Sequence, residues 1–453
     1  MAASFDPREL SDFAQYYGFH YNGVDPRQLV RDVLIDMERG LKGEPSSLPM
    51  IPSYLSPVSH VPPGKTVLAL DAGGTNLRAS FVRFDGEGRA IAEGTAKVPM
   101  PGTRGRVGAV EFFDQIAELC VPLLEKGGKD IGGIGFTFSY AMDITEDADG
   151  KPLAFSKEVD APEVIGRPVG KELREALARR KIIYDGRIVL LNDTAATLLS
   201  GLVQIPPGGE AEKTENAYGA AGGPVVGLIL GTGFNTAYPE KSIPKTGFHS
   251  ESSPQIVVCE TGAFGVKYRG VLDREYDATT KQPGNYIMEK TASGAYLGPL
   301  TLHILKRAVE DGVLRFKRSG ELLSMESLQT RDLNEFQRNP LAAKGPLGSL
   351  IGLDEGGALA AVLYLASIIT ERGSLFSAAV AAAAVIKTGA GCEPFAPVRV
   401  AVEGTTYMIY KGMRTGFESH LHRMLYGDMP RPCVIVPVEQ ASLFGAAVAA
   451  LSK

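Results

Sequence analysis

Eight consecutive residues, Asp71-Ala72-Gly73-Gly74-Thr75-Asn76-Leu77-Arg78, carry the strongest chemical signal in the chain. An aspartate closes the apolar run Val67-Leu68-Ala69-Leu70, and two glycines then allow a turn whose N–H groups can approach an anion closely. Thr75 and Asn76 add side-chain donors and Arg78 a positive charge, which together suit a phosphate group. The pattern is not a Walker loop, because GxxxxGK[ST] is absent. It is not a dinucleotide fingerprint either, because a strand over 79–84 follows where that motif opens a helix. Gly-Gly by itself marks an ordinary hairpin; the acid before it and the Thr, Asn and Arg after it favour an anion site. A second turn, Gly231-Thr232-Gly233, reads as a hairpin alone and as an opposing clamp on the same polyphosphate when set beside the first.

A carboxylate of a different kind stands at Leu190-Leu191-Asn192-Asp193-Thr194, where a strand ends and a helix over 195–202 begins. Asp193 is either that helix's N-cap or a catalytic base. Ligands of open α/β sheets sit at such strand ends, and a helix N-terminus favours the ionised form. Glu260 follows the apolar run 256–259 and precedes Gly262-Ala263-Phe264-Gly265, and Glu289 lies just inside a helix opened by Pro283-Gly284-Asn285. Each alone reads as a cap or a surface acid. With Asn192, Asn235, Ser139 and Lys157 they form the set of acceptors and amides that vicinal sugar hydroxyls require. The six histidines show no catalytic or metal-binding spacing, so magnesium would enter with a nucleotide.

These residues need a scaffold that brings strand ends together. Helical patterns cover 9–17 and 25–43, and a Pro/Ser-rich connector spans 45–63. Strands follow over 67–70, 79–84, 90–92 and 132–138, with helices over 107–125 and 170–180 and a strand over 187–191. Residues 143–163 are polar and loop-like, and 204–223 is a Gly/Glu/Lys-rich excursion. Strand, glycine turn and strand then recur over 225–238, which suggests a duplicated unit in two lobes.

Composition bounds the class. At ~150 residues per domain, 453 residues make two or three domains. Lys and Arg number 47 against 52 Asp and Glu, a net charge of -5 that leaves no basic excess for nucleic acid or an anionic membrane. Four scattered cysteines make neither a metal motif nor a disulfide framework, which favours a reducing compartment. The first residues lack the apolar core of a signal peptide. The apolar stretch 356–386 is interrupted by Glu371 and Arg372 into pieces shorter than the ~20 residues of a membrane span, and reads as buried alanine-rich helices. A cytoplasmic enzyme or ATPase is expected.

The same segments, in order, resemble the eukaryotic-type hexokinase family of the sugar kinase, actin and chaperone ATPase superfamily. The resemblance runs through SSLPMIPSYL (46–55), LALDAGGTNLRA (68–79), GFTFSYAMD (135–143), AFSKEVD (154–160) and LLNDTAATLLSG (190–201). It continues through LGTGFNTAYPE (230–240), CETGAFG (259–265), PGNYIMEKTASGAYLG (283–298) and VAVEGTTYMIYKG (400–412). It implies an α/β, two-lobed, actin-like ATPase (ribonuclease H-like) fold with duplicated mixed-sheet cores around a cleft. One lobe would comprise 62–200 plus 434–453, and the other 1–61 plus 201–433.

The implied activity is ATP-dependent phosphorylation of a hexose, glucose foremost, with Asp193 as base toward the sugar 6-hydroxyl. Ser139, Ser156, Lys157, Asn192, Asn235, Glu260 and Glu289 would hold the sugar. Asp71, Gly73, Gly74, Thr75, Asn76, Arg78, Thr232 and Gly233 would hold the phosphates and Mg2+, with Asp71 acting through metal-bound water, and Gly404 and Thr405 would flank the adenosine. The chain departs from the family pattern at several positions: Ser156 stands for a usual Thr, Thr261 for Trp, Tyr286 for Gln, Ala141 for Pro and Ala295 for a Lys seen in some members. Two other readings share the glycine turns: a non-catalytic sugar sensor, which has no need of Asp193, and a chaperone- or actin-like ATPase, which has no need of the sugar acids.

Overall fold

The computed structural model describes residues 5–57, 61–86, 88–127, 131–155, 159–203, 223–342, 344–393, 396–426 and 430–452. The expected excursion over 204–223 and the residues Ser156 and Lys157 fall outside this description, apart from Gly223. Strands are numbered along the chain. A short β1 (Ile51–Pro52) precedes β2 (Thr66–Ala72), β3 (Asn76–Phe84), β4 (Ala90–Pro99) and β5 (Ile131–Phe138). A ribbon of β6 (Met142–Ile144) and β7 (Gly150–Pro152) interrupts the segment read as loop, and β8 (Ile188–Leu191) completes the first half. The second half holds β9 (Val225–Leu230), β10 (Phe234–Glu240), a ribbon of β11 (Ser242–Ile243) and β12 (Phe248–His249), β13 (Gln255–Val258), β14 (Val398–Glu403) and β15 (Cys433–Pro437).

Two mixed sheets result, ordered β4-β3-β2-β5-β8 and β1-β13-β10-β9-β14-β15. In each, a hairpin closed by a glycine turn (β2–β3, β9–β10) joins two parallel strands on its other side. The two-lobed α/β architecture with a duplicated core is therefore present. β2 is apolar without alternation because helices cover both faces of its sheet. On one side lies helix Ala109–Gly127, and on the other helix Ala441–Leu451. That last helix approaches so closely that a methyl group at Gly445 would meet the Ala196 carbonyl oxygen at 2.0 Å. Helix Asp193–Ser200 is thereby fixed against it.

Two expectations change. The boundary at 434 falls inside β15, which pairs with β14 in the second sheet, so only the helix after it returns to the first. An apolar five-residue strand does not encode which sheet it joins. The stretch 356–386 is one 32-residue helix, Gly356–Lys387, not two pieces. Its charges do not break it, because Arg372 forms a buried bidentate pair with Asp273 and Glu371 pairs with His420. By length and composition it could cross a membrane, yet 72% of its most apolar window is buried inside the protein.

Candidate active site

β8 delivers Asn192 and Asp193 to the cleft. Asn192 is the N-cap of helix Asp193–Ser200, its Oδ1 accepting the Thr194 N–H at 2.8 Å. The capping role that the sequence left open for Asp193 thus belongs to its neighbour, and Asp193, at the first helical position, keeps its carboxylate for other work. Thr194 Oγ1 donates to Asp193 Oδ1 at 3.3 Å, and Ser139, just beyond β5, lines the same cleft. Burial raises the Asp193 pKa, the Thr194 and Ser139 hydrogen bonds lower it, and the negative charge of Asp71 raises it. The net shift is upward, so desolvation outweighs the helix N-terminus that was expected to keep the group ionised. A base in such a site is stronger when it is ionised.

The opposite wall comes from the second sheet. Asn235 in β10 donates from Nδ2 to Glu260 Oε1 at 2.9 Å, while its Oδ1 accepts the N–H groups of Thr236 and Thr261. Glu260 sits in left-handed backbone (φ 58°) directly after Cys259, and burial pushes its pKa up to about 7, with the charges of Asp193 and Glu289 adding to the rise and Asn235 opposing it. Glu289 Oε2 accepts the Phe234 N–H at 3.1 Å, and burial raises its pKa against the pull of that bond and of Lys290. Ser139, Asn192, Asp193, Asn235, Glu260 and Glu289 all line one cleft of about 920 Å³. Six of the expected sugar residues therefore share one space; Ser156 and Lys157 lie outside the described residues.

Of the two glycine turns, the second lines this cleft through Gly233, and the first is tied to it by the lining residue Tyr140. At the first, Gly73 N–H bonds to Asn76 O and Asn76 Nδ2 to Thr75 Oγ1, while Gly74 has open space beside it. The Tyr140 hydroxyl donates to the carbonyls of Gly73 and Gly74, at 2.9 and 3.2 Å, and pins the turn. Arg78 faces Asp71 across the β2–β3 register and donates to it from Nε at 2.8 Å. Burial raises the Asp71 pKa and Arg78 restrains that rise. At the second turn, Gly231 O accepts from Thr406 Oγ1 and Gly294 N, leaving Thr232 exposed. Gly404 packs against it at φ 127°, where a Cβ would lie 2.4 Å from the Leu230 carbonyl, so Gly404 and Thr405 border this turn. Gly233 joins the two regions: a Cβ there would lie 3.0 Å from Glu289 Oε2.

Among the described residues no group of three or more His, Cys, Asp or Glu could hold a metal ion. Asp71 alone offers a hard carboxylate at the first turn, which suits Mg2+, an ion that keeps waters and binds one or two carboxylates with phosphate oxygens.

Sequence reasoning missed Glu403. It ends β14 immediately before Gly404, the same acid-then-glycine signal as at the first turn, and accepts the Ala441 N–H at 3.3 Å and the Thr197 hydroxyl at 3.4 Å. Burial pushes its pKa to about 7, helped by the charges of Asp193 and Asp71.

Two family models, each described as hexokinase, match residues 15–203 and 225–452. The hexokinase of Schistosoma mansoni is 32% identical over 336 residues, covering 71% of this chain and 70% of that protein. The chain belongs to the hexokinase family. Hexokinase-2 of Candida albicans is 28% identical over 94% of this chain and 88% of its own length. Homo sapiens hexokinase-3 is 31% identical over 83% of the chain, which spans 40% of that longer relative. A solved structure of the Schistosoma mansoni hexokinase complexed with glucose shares the fold, with a TM-score of 0.75, 24% identity, and coverage of 99% of this chain and all of that one. Within this hexokinase fold the matched segments meet at the cleft just described.

Proposed function

We propose that this protein transfers the terminal phosphoryl group of ATP to the 6-hydroxyl of a hexose. The observation that carries the reading is the position of Asp193: half-buried, free of capping duty and sharing one cleft with two carboxylates, with Gly233 of the second glycine turn on its wall and Tyr140 tying that wall to the first. Phosphoryl transfer asks a protein for positioning and charge stabilisation more than for covalent chemistry. Asp193 accepts the hydroxyl proton as the oxygen attacks, and burial gives it the basicity for this task. Asn192 and Asn235 each spend their carbonyl oxygen on backbone N–H groups, so each presents its NH2 as a donor. Glu260 and Glu289 accept from hydroxyls, with Ser139 and, by the resemblance, Ser156 and Lys157 completing the sugar's shell.

The turns at 73–76 and 231–233 hold the phosphates, and Gly404 and Thr405 border the adenosine. Asp71 holds Mg2+ through water, and the ion, when bound, neutralises charge on the phosphate oxygens. Arg78 either releases Asp71 to reach a phosphate or stays to orient it. Glucose, bound in the Schistosoma mansoni structure, is the hexose favoured here. The two lobes close around the sugar, which excludes water as a competing acceptor. Four free cysteines fit a reducing compartment, and the cytoplasm is the proposed location.

ADP release measured with and without glucose, mannose and fructose tests the reading. Hexose-dependent ADP with equimolar hexose 6-phosphate is expected. ADP formed equally without sugar would make the protein an ATPase, and sugar binding without ADP would make it a sensor.

A further inference from the structure

The cleft's rim between helices Val271–Ala278 and Ile287–Ala292 has no regular structure of its own, yet it places Gln282, Asn285 and Tyr286 on the cleft. Two of its residues hold left-handed backbone, Gly284 at φ 80° and Tyr286 at φ 52°. For the tyrosine this is strained backbone, which persists only where the surroundings impose it. What imposes it is buried behind the rim. Lys290 Nζ bonds to Asp277 Oδ1 and also donates to the Gln282 carbonyl at 2.7 Å. Asp277 Oδ2 takes the Gly284 N–H at 3.0 Å and Arg269 Nη2 at 2.9 Å. The Lys290 side chain is 5% exposed and that of Asp277 10%.

A buried ion pair adds little net stability compared with an apolar pair, so stability is a weak reason for its presence. Its hydrogen bonds instead grip the rim backbone at two points, residues 282 and 284. Lys290 also follows Glu289 in sequence, so one short helix turns the glutamate to the cleft and the lysine to the grip. Its charge favours the ionised form of Glu289.

We propose that Lys290 and Asp277 are positioning residues for the sugar side of the cleft: their paired side chains clasp the 279–286 rim and set hexose affinity without contributing to the phosphoryl-transfer step. This rests on the reading of the cleft as a hexose site. The clasp acts on the wall that carries Glu289 and makes no bond of its own to Asp193 or to either glycine turn, so its loss appears chiefly in the hexose constants.

Four variants test it: Lys290→Met, the charge-balanced double variant Lys290→Met/Asp277→Asn in case the single one fails to fold, Arg269→Gln and Lys290→Arg. Hexose KM, and hexose affinity by calorimetry, should weaken roughly 10-fold or more in the first two, the scale at which small misplacements act. Arg269→Gln should shift them about 2-fold, and Lys290→Arg, which keeps the charge and donors, should restore most of the loss. ATP KM and kcat at saturating hexose should stay within about 2-fold of wild type. Hydrogen exchange of the 279–286 amides without any ligand is the independent arm and should accelerate in both Lys290→Met variants. Unchanged rim exchange, or hexose and ATP constants that weaken together with kcat, overturns the clasp. A wild-type protein that binds no hexose, with rim exchange still accelerated in the variants, would sink the hexose reading of the cleft and leave the clasp as a rim-ordering device alone.

Discussion

The two sheets have the same plan and different chemistry. β4-β3-β2-β5-β8 and β13-β10-β9-β14-β15 superpose in order and direction: an antiparallel trio with a glycine turn, then two parallel strands, then a helix. At the first turn an acid, Asp71, closes the strand; at the second Gly231 stands there. After the last parallel strand of the first sheet, Asn192 caps the helix and frees Asp193 as a base. After that of the second, Gln440 sits at φ 50° with no capping side chain, and the helix start instead receives Glu403 at the Ala441 N–H, with Asp71 of the first sheet close enough for its charge to act on Glu403. One helix start thus presents a carboxylate to the cleft, and its counterpart binds one at its own first N–H. The same topology can carry a reactive group or a structural junction, depending on which residue takes the cap.

The comparison predicts unequal consequences. Asp193→Ala should lower kcat roughly 10²-fold or more, the scale of general-base loss, with hexose still bound in calorimetry; a variant with near-normal kcat would make the two helix starts equivalent after all. On the second wall, Glu260→Gln and Glu289→Gln should weaken hexose affinity by roughly 10- to 150-fold, about the 1.5–3 kcal/mol of a charged hydrogen bond. ATP affinity measured without sugar should hold. The opposite split in calorimetry would move both acids to the nucleotide.

Stability against pH separates the walls further. The Glu260 pKa rises from 4.5 to about 7 on folding, so the stability associated with its protonated form is full below 4.5 and is lost as pH rises through 7. At 1.36 kcal/mol per pKa unit the loss is about 3 kcal/mol. The ligand-free Glu260→Gln protein should therefore melt above wild type at pH 8 and near it at pH 4.5. Identical melting curves at both pH values would mean that Glu260 is not desolvated. The smallest effect is expected at the first turn. Tyr140→Phe removes the hydroxyl that pins Gly73 and Gly74, a loss of about 1 kcal/mol, and should raise ATP KM a few-fold while hexose KM stays put.

The sequence was most readable where a strand meets a glycine turn, because apolar run, acid and Gly-Gly are local signals. Asp71 and both turns come from such places, and Asp193 from a strand end that runs straight into a helix. What lay beyond it was set by distant partners. Arg372 and Glu371 look like a helix break until Asp273 and His420 arrive from elsewhere in the chain to receive them. The Asp277–Lys290 clasp has no periodic signature, since a loop separates its halves. The pairing of Arg78 with Asp71 is set by strand register, which is invisible in a linear motif. The protonation tendency of Asp193 depends on burial that only the packed cleft supplies.

The central claim is that a hexose bridges two walls supplied by two sheets, with Ser139, Asn192 and Asp193 on one and Asn235, Glu260 and Glu289 on the other. A ligand that touches both walls binds the closed form better than the open one and so shifts the population. With no tryptophan in the chain, indole fluorescence cannot report this, and small-angle scattering is the direct probe. The radius of gyration should fall when saturating glucose is added without nucleotide. An unchanged scattering curve, with glucose binding confirmed by calorimetry in the same buffer, would contradict the bridging account and leave a preformed site.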